Sequence, residues 1–151
     1  MLKDRRNLLI AGGVGLIATA LPRQAAAASL TDSEKANIKL VTSFLKGWEK
    51  SHYDAAKEFA TYFTPDASIR MEEDKPAVQA AAAAAQMKAY LDTGMKLKAK
   101  IEEAFAHGPV VVTSRTDHVV VPGKPAQDYK VAGVFIVKKG KITEWTDYLA
   151  A

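Results

Sequence analysis

The chain contains no cysteine. That excludes a disulfide framework, a thiolate metal site and a lipid anchor built on a cysteine. Histidine is scarce too, at three residues. His52, His107 and His118 lie at breaks or on the face opposite the candidate site. No two of them have metal-ligand spacing, so no metal site is expected. The glycine patterns GxGxxG, GxxxxGK(S/T) and GxSxG are all missing. Their absence removes the usual sequence signals for dinucleotide binding, phosphate cradling and serine-hydrolase chemistry. There are no internal repeats.

The N-terminal apolar stretch, Leu8 to Leu21, is interrupted by Gly12, Gly13 and Gly15. It is short of the roughly 20 residues a membrane-spanning helix needs. Lys3, Arg5 and Arg6 precede it and Ala26-Ala27-Ala28 follows, which is the layout of an export signal. The Arg5-Arg6 pair before Asn7-Leu8-Leu9 looks like a twin-arginine signal, and Arg23 suits that route. Asp4 and Ile10 depart from its usual pattern; the alternatives are a general secretory signal or an uncleaved anchor. The expectation is residues 1–28 as a signal peptide, cleavage near Ala28, and a periplasmic or secreted protein with no stable membrane anchor. Residues 1–28 hold four basic groups and Asp4, so they carry +3 of the formal +4 and leave +1. The basic balance therefore gives no reason to expect nucleic acid. Residues 29–151, roughly 120 of them, have the size of one domain.

Within that domain, Thr31 and Glu34 form a capping-box pattern. Ile38, Val41, Phe44, Leu45 and Trp48 then recur at helical spacing. A second short helix is expected to carry Ala56, Phe59, Ala60 and Phe63, followed by a turn at Thr64-Pro65-Asp66 and a short strand from Ala67 to Met71. A third helix is expected from Ala77 to Leu91, with Gly94 beyond its end. The remainder reads as strands: Met95–Ala106, Val110–Val121, and a hairpin of Tyr129–Val137 and Lys141–Leu149 around Lys139-Gly140. Helices first and strands later imply an α+β fold, with helices on one side of a mostly antiparallel sheet.

Charge on apolar strand faces is the chemical signal. Residues two apart share a face. Arg115 and Asp117 therefore share a face with Val111, Thr113, Val119 and Val121, and Asp147 shares one with Trp145 and Leu149. Buried charges are costly unless they pair. Two acids around one arginine in an apolar pocket can hold one carboxyl protonated and one ionised, as general acid–base chemistry requires. The bland reading is a surface ion pair between Arg115 and Asp117, worth little, with Asp147 solvated at a strand end. On shared parity, Val119, Tyr129, Val131, Trp145 and Leu149 are expected to line the pocket, with Met87 and Leu91 from the third helix.

The runs Arg115-Thr116-Asp117, Gly133-Val134-Phe135, Gly140-Lys141-Ile142, Trp145 and Asp147-Tyr148 resemble the limonene-1,2-epoxide hydrolase family. This family sits in the SnoaL-like branch of the nuclear transport factor 2-like superfamily. The resemblance spans roughly Ser33 to Leu149. It implies a cone: a curved sheet around a deep apolar pocket, closed by helices, in a homodimer. It further implies Asp147 as the base acting on water, Asp117 as the acid on the epoxide oxygen and Arg115 as their bridge, with no cofactor and a small apolar molecule as substrate. One departure stands out. The family's water-holding Tyr and Asn align with Ile69 and Met71, which offer no useful side-chain hydrogen bond. Ser68, Arg70 and Tyr53 are the candidate substitutes. Two other readings follow: an isomerase or cyclase of the SnoaL or ketosteroid-isomerase type, and a non-catalytic binder of apolar ligands.

Overall fold

The computed structural model describes residues 29–149; the expected signal peptide lies outside the described residues. Helix α1 (Asp32–Gly47) opens on the capping box: the Thr31 hydroxyl accepts from the Glu34 amide, and the Glu34 carboxylate accepts from the Thr31 amide. Its buried face carries Val41, Phe44 and Leu45. Helix α2 (Ala55–Tyr62) is capped by Asp54, whose carboxylate accepts from the Lys57 amide. Then come β1 (Phe63–Arg70), α3 (Ala80–Asp92), β2 (Lys96–His107), β3 (Val110–Val120), β4 (Gln127–Lys138) and β5 (Lys141–Leu149).

The strands form one sheet in the order β1-β5-β4-β3-β2. The β2–β3, β3–β4 and β4–β5 pairs are antiparallel, and edge strand β1 runs parallel to β5. The expected α+β fold with a curled, mostly antiparallel sheet is the one observed. At the β4–β5 hairpin, Lys139 (φ 50°) and Gly140 (φ 72°) both take positive φ. That is the requirement of the two-residue turn whose twist matches its strands.

Beyond shifts of one or two residues at element ends, three features differ from the sequence reading. Phe63 begins β1 opposite Ile142 instead of ending α2. The Thr64-Pro65-Asp66 segment lies within β1, where pairing jumps from Phe63 to Ser68 while β5 moves only from Ile142 to Glu144. Pro65 has no amide hydrogen to pair, which an irregular edge strand tolerates. Helix α3 begins at Ala80, not Ala77, because Val78 is held by Ile69: their backbones exchange two hydrogen bonds of 2.8 Å.

Two one-residue bulges curl the sheet and reset its alternation. In β2, Ile101 faces Arg115 and Glu103 faces Ser114, so Glu102 is extra. In β5, Ile142 faces Val137 and Glu144 faces Ile136, so Thr143 is extra. The second bulge lets Ile142 and Trp145, three apart, both point into the core.

The inner face packs against an aromatic cluster. Phe44 of α1 meets the Trp145 ring edge-on at 5.5 Å, and Phe135 of β4 stacks on it at 5.6 Å. Phe59 and Phe63 stack at 5.1 Å beside them. Such pairs add about 0.5–1.5 kcal/mol each beyond area burial. They fix the floor on which the polar residues stand.

Candidate active site

Arg115, Asp117 and Asp147 all point to the inner face, with exposures of 1%, 8% and 8%. The surface ion-pair reading of Arg115 and Asp117 fails on that burial. Arg115 Nε donates to Asp117 Oδ1 at 2.9 Å and Nη2 to Asp117 Oδ2 at 3.1 Å. The other edge of the guanidinium faces Asp147: Nη1 donates to Oδ1 at 3.1 Å and Nη2 to Oδ2 at 2.5 Å. Two bidentate contacts therefore share one nitrogen, the geometry the planar fork suits best. Trp145 Nε1 donates a further hydrogen bond of 2.6 Å to Asp147 Oδ1. The Trp48 ring lies 5.6 Å from the guanidinium carbon, a cation–π contact.

Arg115 and Asp147 stand on strands separated by β4. Gly133 is the β4 residue paired with Thr113 on one side and Asp147 on the other. A Cβ at Gly133 would lie 2.6 Å from Arg115 Nη1 and 2.8 Å from Phe135 Cε2 and Thr113 Oγ1. The missing side chain is the space through which the guanidinium crosses β4.

The charges perturb one another. Burial works against the Arg115 cation, but Asp147 and Asp117 outweigh it and hold its pKa above the ordinary arginine value. Burial raises the Asp147 carboxyl; Arg115 and the Trp145 N–H pull it down without cancelling the rise. Asp147 thus holds a proton more readily than an ordinary aspartate.

Above the cluster opens a cavity of about 680 Å³. Asp117 and Asp147 reach it from the floor, and Val119, Tyr129, Val131, Trp145, Leu149 and Met87 line it. Leu91 does not. Met87 and Tyr90, one turn apart, form the α3 face that borders the cavity, and Leu91 is turned against the core. Sequence parity missed Trp48 and the Glu72-Glu73-Asp74 rim, because a helix end and a loop carry no period-two signal. Met71 borders the cavity, while Ile69 is fully buried opposite Trp145. Of the substitutes considered, Ser68, Arg70 and Tyr53 are not among the lining residues. Ser68 and Arg70 sit on either side of Ile69 in β1 and point to its other face. Tyr53 packs against the core, where burial pushes its phenol pKa up.

His52 and His118 are exposed, and His118 pairs with Asp128 at 2.6 Å on the outer side. Among the described residues, no group of three or more His, Asp or Glu is arranged to hold a metal ion.

A curled sheet with helices over one face, enclosing an apolar cavity with polar groups at its floor, defines the nuclear transport factor 2-like class. Residues 35–151 match the model of the limonene-1,2-epoxide hydrolase catalytic domain, and the chain belongs to that family. The fold is similar to that of a limonene-epoxide-hydrolase-like epoxide hydrolase from M. tuberculosis, with TM-score 0.67 and 23% identity over 78% of this chain and 85% of that one. It also resembles a candidate SnoaL-like polyketide cyclase from Jannaschia sp., with TM-score 0.66 and 18% identity over 80% and 90% of the two chains. A protein of ketosteroid isomerase-like fold from Catenulispora acidiphila aligns with TM-score 0.62 and 18% identity over 73% and 84%. No curated protein matches the sequence.

Proposed function

We propose that this protein hydrates a small, apolar, uncharged epoxide by acid–base catalysis without a covalent intermediate. The observation that carries the proposal is the single guanidinium clamped between two carboxylates at the floor of an apolar cavity. Asp147 removes a proton from water as the water oxygen bonds to an epoxide carbon. Asp117 gives its proton to the epoxide oxygen as the ring C–O bond breaks. The product is a vicinal diol, and the pair is left with the proton on Asp147 and the charge on Asp117. One proton exchange with solvent resets it. Arg115 touches both carboxylates throughout, so the charge changes sides while remaining beside the same cation. The raised proton affinity of Asp147 suits a base that must be both ionised and effective.

The test is hydration of apolar epoxides in labelled water under single-turnover conditions. The label is expected in the diol and not in an enzyme carboxylate. Asp147→Asn and Asp117→Asn should each lower turnover by about 10²-fold or more while remaining folded. Epoxide binding without diol formation, equal in both variants, would overturn the proposal.

A second reading is favoured by one feature. Ile69 and Met71 themselves supply no side-chain hydrogen bond to the site. That suits a SnoaL- or ketosteroid-isomerase-type enzyme, in which a single Asp shuttles a proton on a carbonyl compound, or a binder of apolar ligands. Proton exchange at a ketone α-carbon that depends on one Asp would select the isomerase reading. The proposal extends to a homodimer through the outer sheet face, where Phe105 and Tyr148 are 55% and 44% exposed and pair with Val112 and Ala132. Light scattering of the purified domain at monomer mass would remove that part.

A further inference from the structure

We infer that Trp145 is the positioning residue that selects Oδ2 of Asp147 as the proton-accepting atom, a role that rests on the acid–base reading of the site. A carboxylate oxygen offers two lone-pair directions. Oδ1 of Asp147 fills both, accepting from Trp145 Nε1 at 2.6 Å and from Arg115 Nη1 at 3.1 Å. Oδ2 accepts only from Arg115 Nη2, which leaves it one direction free. Without the indole N–H the two oxygens would be equivalent by count, each with one arginine donor.

The indole is held rigidly enough to do this. Trp145 is 1% exposed, stacked on Phe135 at 5.6 Å and met edge-on by Phe44 at 5.5 Å. A ring packed on both sides keeps one rotamer, so its N–H keeps one aim. Trp145 and Asp147 lie two apart on one strand face, beyond the Thr143 bulge that sets their phase. The neighbour across β1 is Ile69, which has no donor to compete for the carboxylate. In this chain the orienting contact to the base thus comes from β5 itself.

The groups that face Asp147 are Arg115 and Asp117 from β3 and Trp145 from its own strand. Glu72, Glu73 and Asp74 on the loop after β1, Tyr129 of β4 and Tyr90 of α3 border the same cavity. Of the groups that hydrogen-bond Asp147, the Trp145 N–H is the neutral donor, and its removal changes no charge.

The experiment is Trp145→Phe, which deletes the N–H and keeps a ring. Asp147 is followed by carboxyl-carbon NMR across pH, with the kcat and KM of epoxide hydration measured alongside. Its titration midpoint is expected to rise by roughly one pH unit, since the ionised form loses one charge-assisted donor. The acidic limb of kcat should rise with it, and kcat should fall about tenfold with KM little changed. An Asp147 midpoint that does not move overturns the inference. A second measurement uses the unaltered protein and so survives a variant that misfolds. The indole N–H signal of Trp145 should shift with the Asp147 titration; an indole signal that is flat through that midpoint also overturns it. If both titration effects are seen but the wild-type protein makes no diol, the epoxide reading is removed while Trp145 remains the residue that orients Asp147.

Discussion

The guanidinium of Arg115 reaches Asp147 across the bare backbone of Gly133, which pairs directly with Asp147 on the strand between them. Arginine on β3 and aspartate on β5 are two strands apart, a span that hydrogen-bonded neighbours do not have to cross. The family-like Gly-Val-Phe run is therefore part of the site's construction, since any Cβ on its glycine would crowd Nη1 at 2.6 Å.

Gly133→Ala is expected to destabilise the domain by about 1–3 kcal/mol, the usual effect of overpacking. It should also displace Arg115, because its Cβ would lie 2.6 Å from Nη1. Urea unfolding gives the first effect, and loss of epoxide hydration the second. A variant of wild-type stability and activity would show that the crossing has slack.

Removing the cation and removing one acid should have opposite consequences. Arg115→Met leaves two largely buried carboxylates side by side without their cation and is expected to cost about 3–5 kcal/mol at neutral pH. Asp147→Asn leaves Arg115 paired with Asp117. The folded state binds the Asp147 proton more tightly than the unfolded chain, whose value is near 3.8. That contribution is full below the unfolded value and is lost as pH rises through the higher folded value. Ionised Asp147 thus burdens the fold at neutral pH, and Asp147→Asn should be no less stable than the parent at pH 7. Unfolding curves at pH 4 and pH 7 would reveal it; a clear loss of stability at pH 7 in the Asn variant would contradict the sign.

Met71→Asn should raise epoxide hydration, since it adds a donor and acceptor at the cavity wall. Ile69→Tyr should not help on its own, because Ile69 is fully buried opposite Trp145 and a larger ring would overpack the core. Comparing kcat/KM for the two variants separates these expectations. No gain in Met71→Asn would mean that water is held elsewhere.

Much of the architecture was legible because it rests on local periodicity. The Thr31–Glu34 capping box, the Lys139-Gly140 turn and the even spacing of Arg115, Asp117 and Val119 each carry their own signal. The bulges at Glu102 and Thr143 carry none: an unpaired residue in a strand looks like any other until its partner strand is counted. Phe63 suited a helical face as well as a strand, and only its pairing with Ile142 decides it. Leu91 and Tyr90 differ by one step on a helix whose alanines give a weak face, so which of them meets the cavity depends on how α3 lies against β1. Gly133 stood in plain view in the sequence, but its use depends on a side chain arriving from two strands away.

Export can be tested apart from chemistry. Replacing Arg5 and Arg6 together with Lys should stop transport if the twin-arginine route is used, because that route reads the arginine pair itself. Fractionation of cells that express the variant measures this. Full recovery in the periplasm would assign the general secretory route.

The floor of the cavity holds two acids and one arginine, so its electrical balance is a matter of one proton. With both carboxylates ionised the floor carries a net negative charge, and water in the open cavity screens it. An apolar guest expels that water, and an unscreened charge then becomes expensive. Filling the cavity should therefore draw a proton from solution whenever the floor does not already hold one. Any apolar ligand, reactive or not, becomes tighter-binding as pH falls, and calorimetry in buffers of different ionisation enthalpy would register the proton as it enters. A dry, filled cavity and a singly protonated floor are thus two sides of one equilibrium, and pH acts on the guest through the floor beneath it.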